Sequence, residues 1–242
     1  MKVSNPFAPP IVPGTAVPVT ECRACPRLVE WRELQAGRVP PRFAAWVAEH
    51  GFWARPVAAF GDPAAWLVIV GLAPAAQGAN RTGRMFTGDR SGDFLYSALH
   101  RAGLANLPDS DYRGDGLALD GALITAPLRC APPGNRQTAA ELDRCRAFMR
   151  SDLTACRRLR VVLALGRVAH EAVLRLLREQ GTPVDEDAGF RHGAAHGLPG
   201  GVWLVDSYHV SQQNTFTGRL TAAMFDEVLG RCRRLAERGR DA

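Results

Sequence analysis

The stretch WLVIVGLAPAAQGANRTGRMFTGD, residues 66–89, decides how this chain is read. Residues 66–70 are an uninterrupted apolar run of strand length, and the nineteen residues that follow are loop-like. Gly71, Gly78, Gly83 and Gly88 let the main chain approach a ligand closely, and Pro74 stiffens the turn. A helix is predicted to begin near Ser91. The loop therefore lies at the carboxyl end of a strand, where open α/β sheets place their ligands. Ordinary strand-to-helix connections run only about 2–6 residues. The loop has neither a Gly-Lys-Ser/Thr phosphate cradle nor a GxGxxG fingerprint. One aromatic ring, Phe86, with close backbone approach suits a flat, uncharged ligand such as a nucleobase.

Outward from this junction, strands are predicted at 66–70, 122–125, 161–165 and 202–206, and helices at 26–34, 92–102, 139–155, 167–179 and 217–237. Strands separated by helical stretches point to an α/β fold with a parallel sheet and helices on both faces. The loops at 71–89, 126–137 and 207–216 each follow a strand, so a parallel sheet gathers them on one edge. Residues 1–20 are proline-rich and read as an extended segment, and 21–236 as a single domain. No apolar run approaches the roughly 18 residues of a membrane span, and the N-terminus lacks a charged region followed by an apolar one. A cytoplasmic protein is expected. The net charge is +6 and Lys2 is the only lysine, so arginine carries the positive charge. Arginine forks match phosphates, which favours a nucleic-acid partner, although Arg231, Arg233, Arg234, Arg238 and Arg240 also fit a solvated helix face.

Six cysteines are present. Cys22 and Cys25 form a CxxC pair, Cys130 follows a predicted strand, and Cys145 lies on the next helix. In a cytosolic chain this points to metal or redox use rather than disulfides. Four thiolates suit either tetrahedral zinc or an iron–sulfur cluster, and the spacing does not choose between them. Cys156 and Cys232 fall in helical patterns and read as small buried apolar residues. His192 and His196 look like a metal pair, but no acid or cysteine accompanies them at ligand spacing, so they read as part of a loop packed near the last strand.

GLAPAAQGANRTGRMFTGD, the run RCAPPGNR at 129–136 and SYHVSQQNTFTGRLT at 207–221 together resemble, in order, the motifs of the family 5 uracil-DNA glycosylases, iron–sulfur members of the uracil-DNA glycosylase superfamily. The resemblance covers residues 22 to about 229. It implies a four-stranded parallel sheet flanked by helices and a structural [4Fe–4S] cluster held by Cys22, Cys25, Cys130 and Cys145. It also implies a DNA glycosylase, acting as a monomer, that excises uracil and other deaminated bases, including hypoxanthine, from DNA.

Such a reaction needs donors at the departing base and an anionic or water-positioning group near the sugar. On matching positions, the main chain of Gly71, Leu72 and Ala73 contacts the base, Phe86 stacks on it, and His209 donates to its carbonyl. Asp89 and Asn135 stabilise the sugar cation or hold water. Ser211, Gln212, Gln213, Asn214 and Arg219 face the DNA. Structural alternatives stand beside these roles: Phe86 as core, Asp89 as a helix cap, Asn135 as a turn former. Three departures mark this chain. Val210 replaces the proline of a common His-Pro-Ser motif, and Gln77 stands where the family often has His. Ala75 and Ala76 lie where many relatives of the superfamily carry a water-activating acid or amide. Two rival readings are a DNA-binding relative that traps uracil-containing DNA covalently or without catalysis, and a zinc-stabilised nucleotide-binding module. The trapping branch carries a basic run before its histidine, whereas here Asp206, Ser207 and Tyr208 precede His209.

Overall fold

The computed structural model describes residues 5–7, 18–185 and 187–238. Arg240 and most of the segment expected to be extended, 1–4 and 8–17, lie outside the described residues. Within that segment Phe7 is fully buried, and Asn5 Nδ2 donates to the Leu153 carbonyl at 2.8 Å.

The six strands are β1 (Phe60–Gly61), β2 (Leu67–Val70), β3 (Ala122–Thr125), β4 (Val161–Leu165), β5 (Ala195–Leu198) and β6 (Val202–Ser207). They form one sheet in the order β1-β3-β2-β4-β6-β5. The inner four run parallel, and β1 and β5 pair antiparallel at the edges. The expected sheet of four parallel strands is thus the centre of a mixed six-stranded one. The edge strands escape the sequence pattern for a physical reason. β1 is two residues long, and β5 reads AHGL with only Leu198 buried, so neither makes an apolar run.

Helices cover both faces: α1 (Pro26–Leu34), α2 (Ala44–His50), α3 (Ala79–Thr82), α4 (Arg90–Arg101), α5 (Ala139–Ala155), α6 (Arg167–Glu179), α7 (Gln212–Phe216) and α8 (Ala222–Arg238). Alternate strand residues point to opposite faces. Leu67, Ile69, Ile124, Leu163 and Val205 pack with α4 and α8. Val68, Val70, Leu123, Val162 and Leu204 pack with α5 and α6. Burial on both faces is why the central strands are continuous Val, Ile and Leu runs. Helix starts follow local chemistry. Pro26 opens α1, and Thr138 with Glu141 forms a capping box on α5. The helix predicted at 217–237 begins later, as α8, and α7 lies within the stretch expected to be a loop, 207–216. The Ser211 side chain caps α7, and a turn separates the two.

β2 lies between β3 and β4, so the chain reverses its direction of travel across the sheet at β2. That reversal opens a crevice at the carboxyl ends of the strands, and residues 71–89 begin there.

Candidate active site and cysteine centre

The three loops do converge. A cleft of about 760 Å³ is lined by Ala75, Gln77, Gly78 and Asp89 from the first loop, Asn135 from the second, and Ser211, Gln212 and Gln213 from the third. Arg42, Phe43, Arg90 and Asp93 complete the wall. Sequence reasoning missed these four. Arg42 and Phe43 come from a segment that precedes the sheet, and nothing local marks them. Asp93, one helical turn beyond Asp89, was open to discovery by its spacing.

Asp89 caps α4 and faces the cleft at the same time. Its Oδ1 accepts the N–H groups of Ser91 at 2.9 Å and Gly92 at 3.2 Å. Burial pushes its carboxyl above the ordinary aspartate range, against the downward pull of those bonds and of Arg81. The second oxygen points across the loop at Gly78. A β-carbon on Gly78 would lie 2.2 Å from Asp89 Oδ2, so only glycine lets the carboxylate sit there. Gly78→Ala is expected to displace Asp89 and reduce base excision at least tenfold. Because Asp89 also caps α4, the variant's melting temperature should fall as well, by the equivalent of the roughly 0.5–2 kcal/mol that a lost cap costs. Steady-state excision rates beside a melting curve check both halves of this expectation.

Phe86 has φ +51°, a conformation that costs an aromatic residue energy. A β-carbon on Gly71 would lie 2.9 Å from its ring. The ring is half-buried over Gly71, with its centroid 6.1 Å from that of His209. Gly71 and Leu72 are already partly engaged within the fold: Gly71 N–H donates to Thr125 O at 2.9 Å, and Leu72 O accepts Leu128 N–H at 3.3 Å. Ala73 packs instead toward the cysteine centre.

His209 follows β6 and sits beside Gly166, whose β-position lies 3.5 Å from the His209 Cβ. Burial pushes its imidazole down to about 4, so the ring is neutral at physiological pH. Among the described residues no hydrogen bond occupies either ring nitrogen, whereas its carbonyl accepts Asn214 Nδ2 at 2.8 Å. Asn214 is thereby turned inward, and it holds His209 in place. Gln212 and Gln213 are exposed. Arg219 lies over the Tyr208 ring at 4.5 Å. Asn135 has φ +56° at the end of a Pro-Gly-Asn turn, and its side chain is exposed to the cleft. Phe216 at the end of α7 is 66 % exposed, with the Arg90 guanidinium 5.2 Å from its ring.

A second centre lies at one side of this region. Cys22, Cys25, Cys130 and Cys145 line one small cavity together with Leu28, Arg32 and Phe148. None of the four forms a disulfide. The donor set fits a sulfur-ligated metal group. Arg32, 2 % exposed, donates from Nη1 to Cys130 Sγ at 3.0 Å and to Cys22 O at 3.1 Å, while its Nε is buried without a partner. The main-chain N–H of Arg129 donates to Cys145 Sγ at 3.3 Å. A buried guanidinium requires nearby negative charge, and N–H donors to sulfur are what ligated thiolates take. Asn80, fully buried, donates from Nδ2 to Arg32 O at 3.2 Å. That bond ties α1, beside the cysteines, to the loop that carries Asp89.

His192 and His196 separate in role. His192 Nδ1 accepts Tyr208 N–H at 3.1 Å and stacks on the Tyr208 ring, which fits a loop packed against the last strand. His196 does have an acid partner, contrary to the sequence expectation. Its Nε2 lies 3.3 Å from Asp206 Oδ2, a partner ten residues away that only the β5–β6 pairing reveals.

The family model described as "Uracil DNA glycosylase superfamily" matches residues 58–233, which include the whole sheet and all three cleft loops. A protein of Thermus thermophilus named type-5 uracil-DNA glycosylase is 52% identical over 90% of this chain and 95% of its own length. Relatives of the same name from Mycobacterium leprae and Pyrobaculum aerophilum are 50% and 44% identical, over 93% and 88% of this chain and 96% and 88% of theirs. The chain belongs to the uracil DNA glycosylase superfamily and, within it, to the type-5 branch.

Proposed function

We propose that the protein hydrolyses the N-glycosidic bond of deoxyuridine in DNA, leaving an abasic site and initiating base excision repair. The observation that carries this reading is the convergence of Asp89, Asn135 and the Ser211 loop on one cleft, with the neutral imidazole of His209 buried behind that lining beside the Phe86 ring. Family membership supports the same chemistry. Water adds at C1′ as the C1′–N bond breaks, the electron pair leaves with the base, and the proton released by the water neutralises the base anion. Neutral His209 donates a hydrogen bond to the base carbonyl and stabilises the departing anion, as a preorganised donor does most effectively where charge develops. Asp89, as carboxylate, and Asn135 position the water and oppose the positive charge on the sugar. Phe86 faces the flipped base. The nucleotide must leave the stack before its reacting bond is reachable. Exposed Phe216 is placed to fill the gap it leaves, while Gln212, Gln213 and Arg219 face the backbone.

The same cleft supports hypoxanthine as a further substrate. Ala75 gives the wall a small, neutral stretch where a larger polar residue would crowd a purine. Cys22, Cys25, Cys130 and Cys145 would hold the [4Fe–4S] cluster. When bound, the cluster supplies cross-linking between the N-terminal segment, the loop around Cys130 and α5, rather than electrons for the reaction.

The test uses purified protein and oligonucleotides carrying uracil or hypoxanthine, single-stranded and paired, followed by alkaline cleavage of abasic sites. Breaks at uracil are expected, and breaks at hypoxanthine test the purine reading. A heat-stable protein–DNA adduct without breaks would instead favour the trapping relative. Phe216→Ala is expected to slow excision from duplex at least fivefold and from single strands little. Equal slowing on both would remove Phe216 from the role of a wedge.

A further inference from the structure

Away from the cleft and the cysteines, a second set of ligand-type side chains meets behind the root of the His209 loop. Among the described residues, His170 on α6, His196 on β5 and Asp206 on β6 bring three ligand atoms within 4.8 Å of one another. His170 is 2 % exposed and Asp206 fully buried, while the His196 side chain keeps partial access. The two imidazole rings stand nearly perpendicular with centroids 5.5 Å apart.

The hydrogen bonds around this group are unbalanced in a telling way. His170 Nε2 lies 2.9 Å from the Ala188 carbonyl, so that nitrogen carries a proton. A neutral ring then presents the lone pair of Nδ1 to Asp206 Oδ1, only 2.8 Å away. That contact is satisfied by a proton on Nδ1, which makes an imidazolium–carboxylate pair, or by a metal ion bound to both atoms. His196 Nε2 faces the other carboxylate oxygen at 3.3 Å, a loose contact for a hydrogen bond. A backbone carbonyl behind one nitrogen of an imidazole is the usual support of a metal-ligating histidine. Here Ala188 O supports His170, and Arg191 N–H, 3.2 Å from Asp206 Oδ2, braces the carboxylate. Access exists as well. A cavity of about 530 Å³ is lined by His196, Arg191, Asp187, His192 and Glu227, and none of its lining residues is shared with the cleft.

We propose that His170 Nδ1, His196 Nε2 and Asp206 form a second metal site, for a divalent cation of the zinc class. Water entering from the cavity completes the coordination. Two imidazoles and one carboxylate suit zinc better than magnesium or calcium, which take oxygen donors. The ion clamps α6, β5 and β6 three residues before His209, so its role is to hold the base of that loop. It takes no part in bond cleavage, and the inference stands apart from the glycosylase reading.

The experiment uses the full chain with its cysteine centre loaded, zinc sulfate as the probe, and His196→Ala as the variant, because His196 is the least buried of the three. The expected result is one zinc per chain in addition to iron. Its X-ray absorption should show a nitrogen and oxygen shell at about 2.0–2.1 Å with no sulfur at about 2.3 Å. Zinc should raise the melting temperature of the wild type. His196→Ala should bind zinc at least about a hundredfold more weakly, beyond the 10–100-fold loss seen when only a residue behind a ligand is removed. No retained zinc, a sulfur shell, or unchanged zinc affinity in the variant would each overturn the site. If His196→Ala fails to fold, the absorption shell of the wild type decides alone. A nitrogen and oxygen shell supports the site, and no such shell sinks it.

Discussion

His209→Ala lowers the excision rate by about 10²–10³, the loss typical of removing one preorganised donor to a developing anion, which corresponds to about 2.7–4 kcal/mol of barrier. The loss should fall on kcat more than on KM, because the hydrogen bond strengthens as the base departs. Its pH dependence follows from the position of the imidazole. Burial holds His209 near 4, against an ordinary value of about 6.5. The ring is therefore neutral across the range where most enzymes operate, and no rate step between pH 5 and 8 belongs to it. The consequence for stability has a definite sign. The fold favours the neutral ring, so this contribution is complete above about 6.5 and is lost as the pH falls toward 4. Asp89 sets the acid limb of the rate. It must be ionised to orient water, and burial raises it above the usual aspartate range, so the rate declines on acidification earlier than a free aspartate would give. A kcat/KM profile of the wild type and of Asp89→Asn checks the assignment. Loss of the acid limb in Asp89→Asn is expected. An unchanged His209→Ala rate would move leaving-group stabilisation to another donor.

The second large effect lies at the cysteine centre. Cys145→Ala is expected to lose bound iron and visible absorbance and to melt at lower temperature, because ligand binding and folding are one process at such sites. The magnitude follows from charge. Arg32 is buried against Cys130, and withdrawing the negative charge it faces leaves it only the half-exposed Glu33 at 3.8 Å, a cost below the roughly 3–5 kcal/mol of a fully unpaired buried charge. The N-terminal helix α1 should then become the first segment cut by protease. Cys232→Ala is the control: that thiol is fully buried in the core between the sheet and α8 and should leave iron content unchanged. Iron retained at the wild-type level in Cys145→Ala would remove it from the ligand set. Because Asn80 joins the Arg32 carbonyl to the loop carrying Asp89, loss of the centre should also reduce excision beyond what the drop in stability explains.

The central strands were legible because each is buried on both faces and so must be apolar throughout. Their helices were legible from amphipathic spacing and from caps written in the chain, such as Asp89 and Thr138. α7 was not. Its five residues, QQNTF, have no apolar periodicity, and the helix rests on the Ser211 cap and the hydrogen bonds that follow it. The edge strands escaped because an edge needs pairing partners more than hydrophobic residues. Asp89 illustrates how a residue can satisfy two readings: its first oxygen caps a helix while the residue lines the cleft.

For this protein the sequence by itself determined the parallel centre of the sheet, the three loops on its carboxyl edge, the four cysteines and the family to which they belong. These are properties of local pattern and spacing. Only the tertiary structure decided what each polar group meets. It turned Asn214 inward to hold His209, set Arg32 against Cys130, brought Arg42 and Phe43 to the cleft, and placed Asp206 between two histidines. The reason is physical. Burial and charge compensation depend on neighbours tens of residues apart in the chain, and those neighbours exist only once the sheet has assembled.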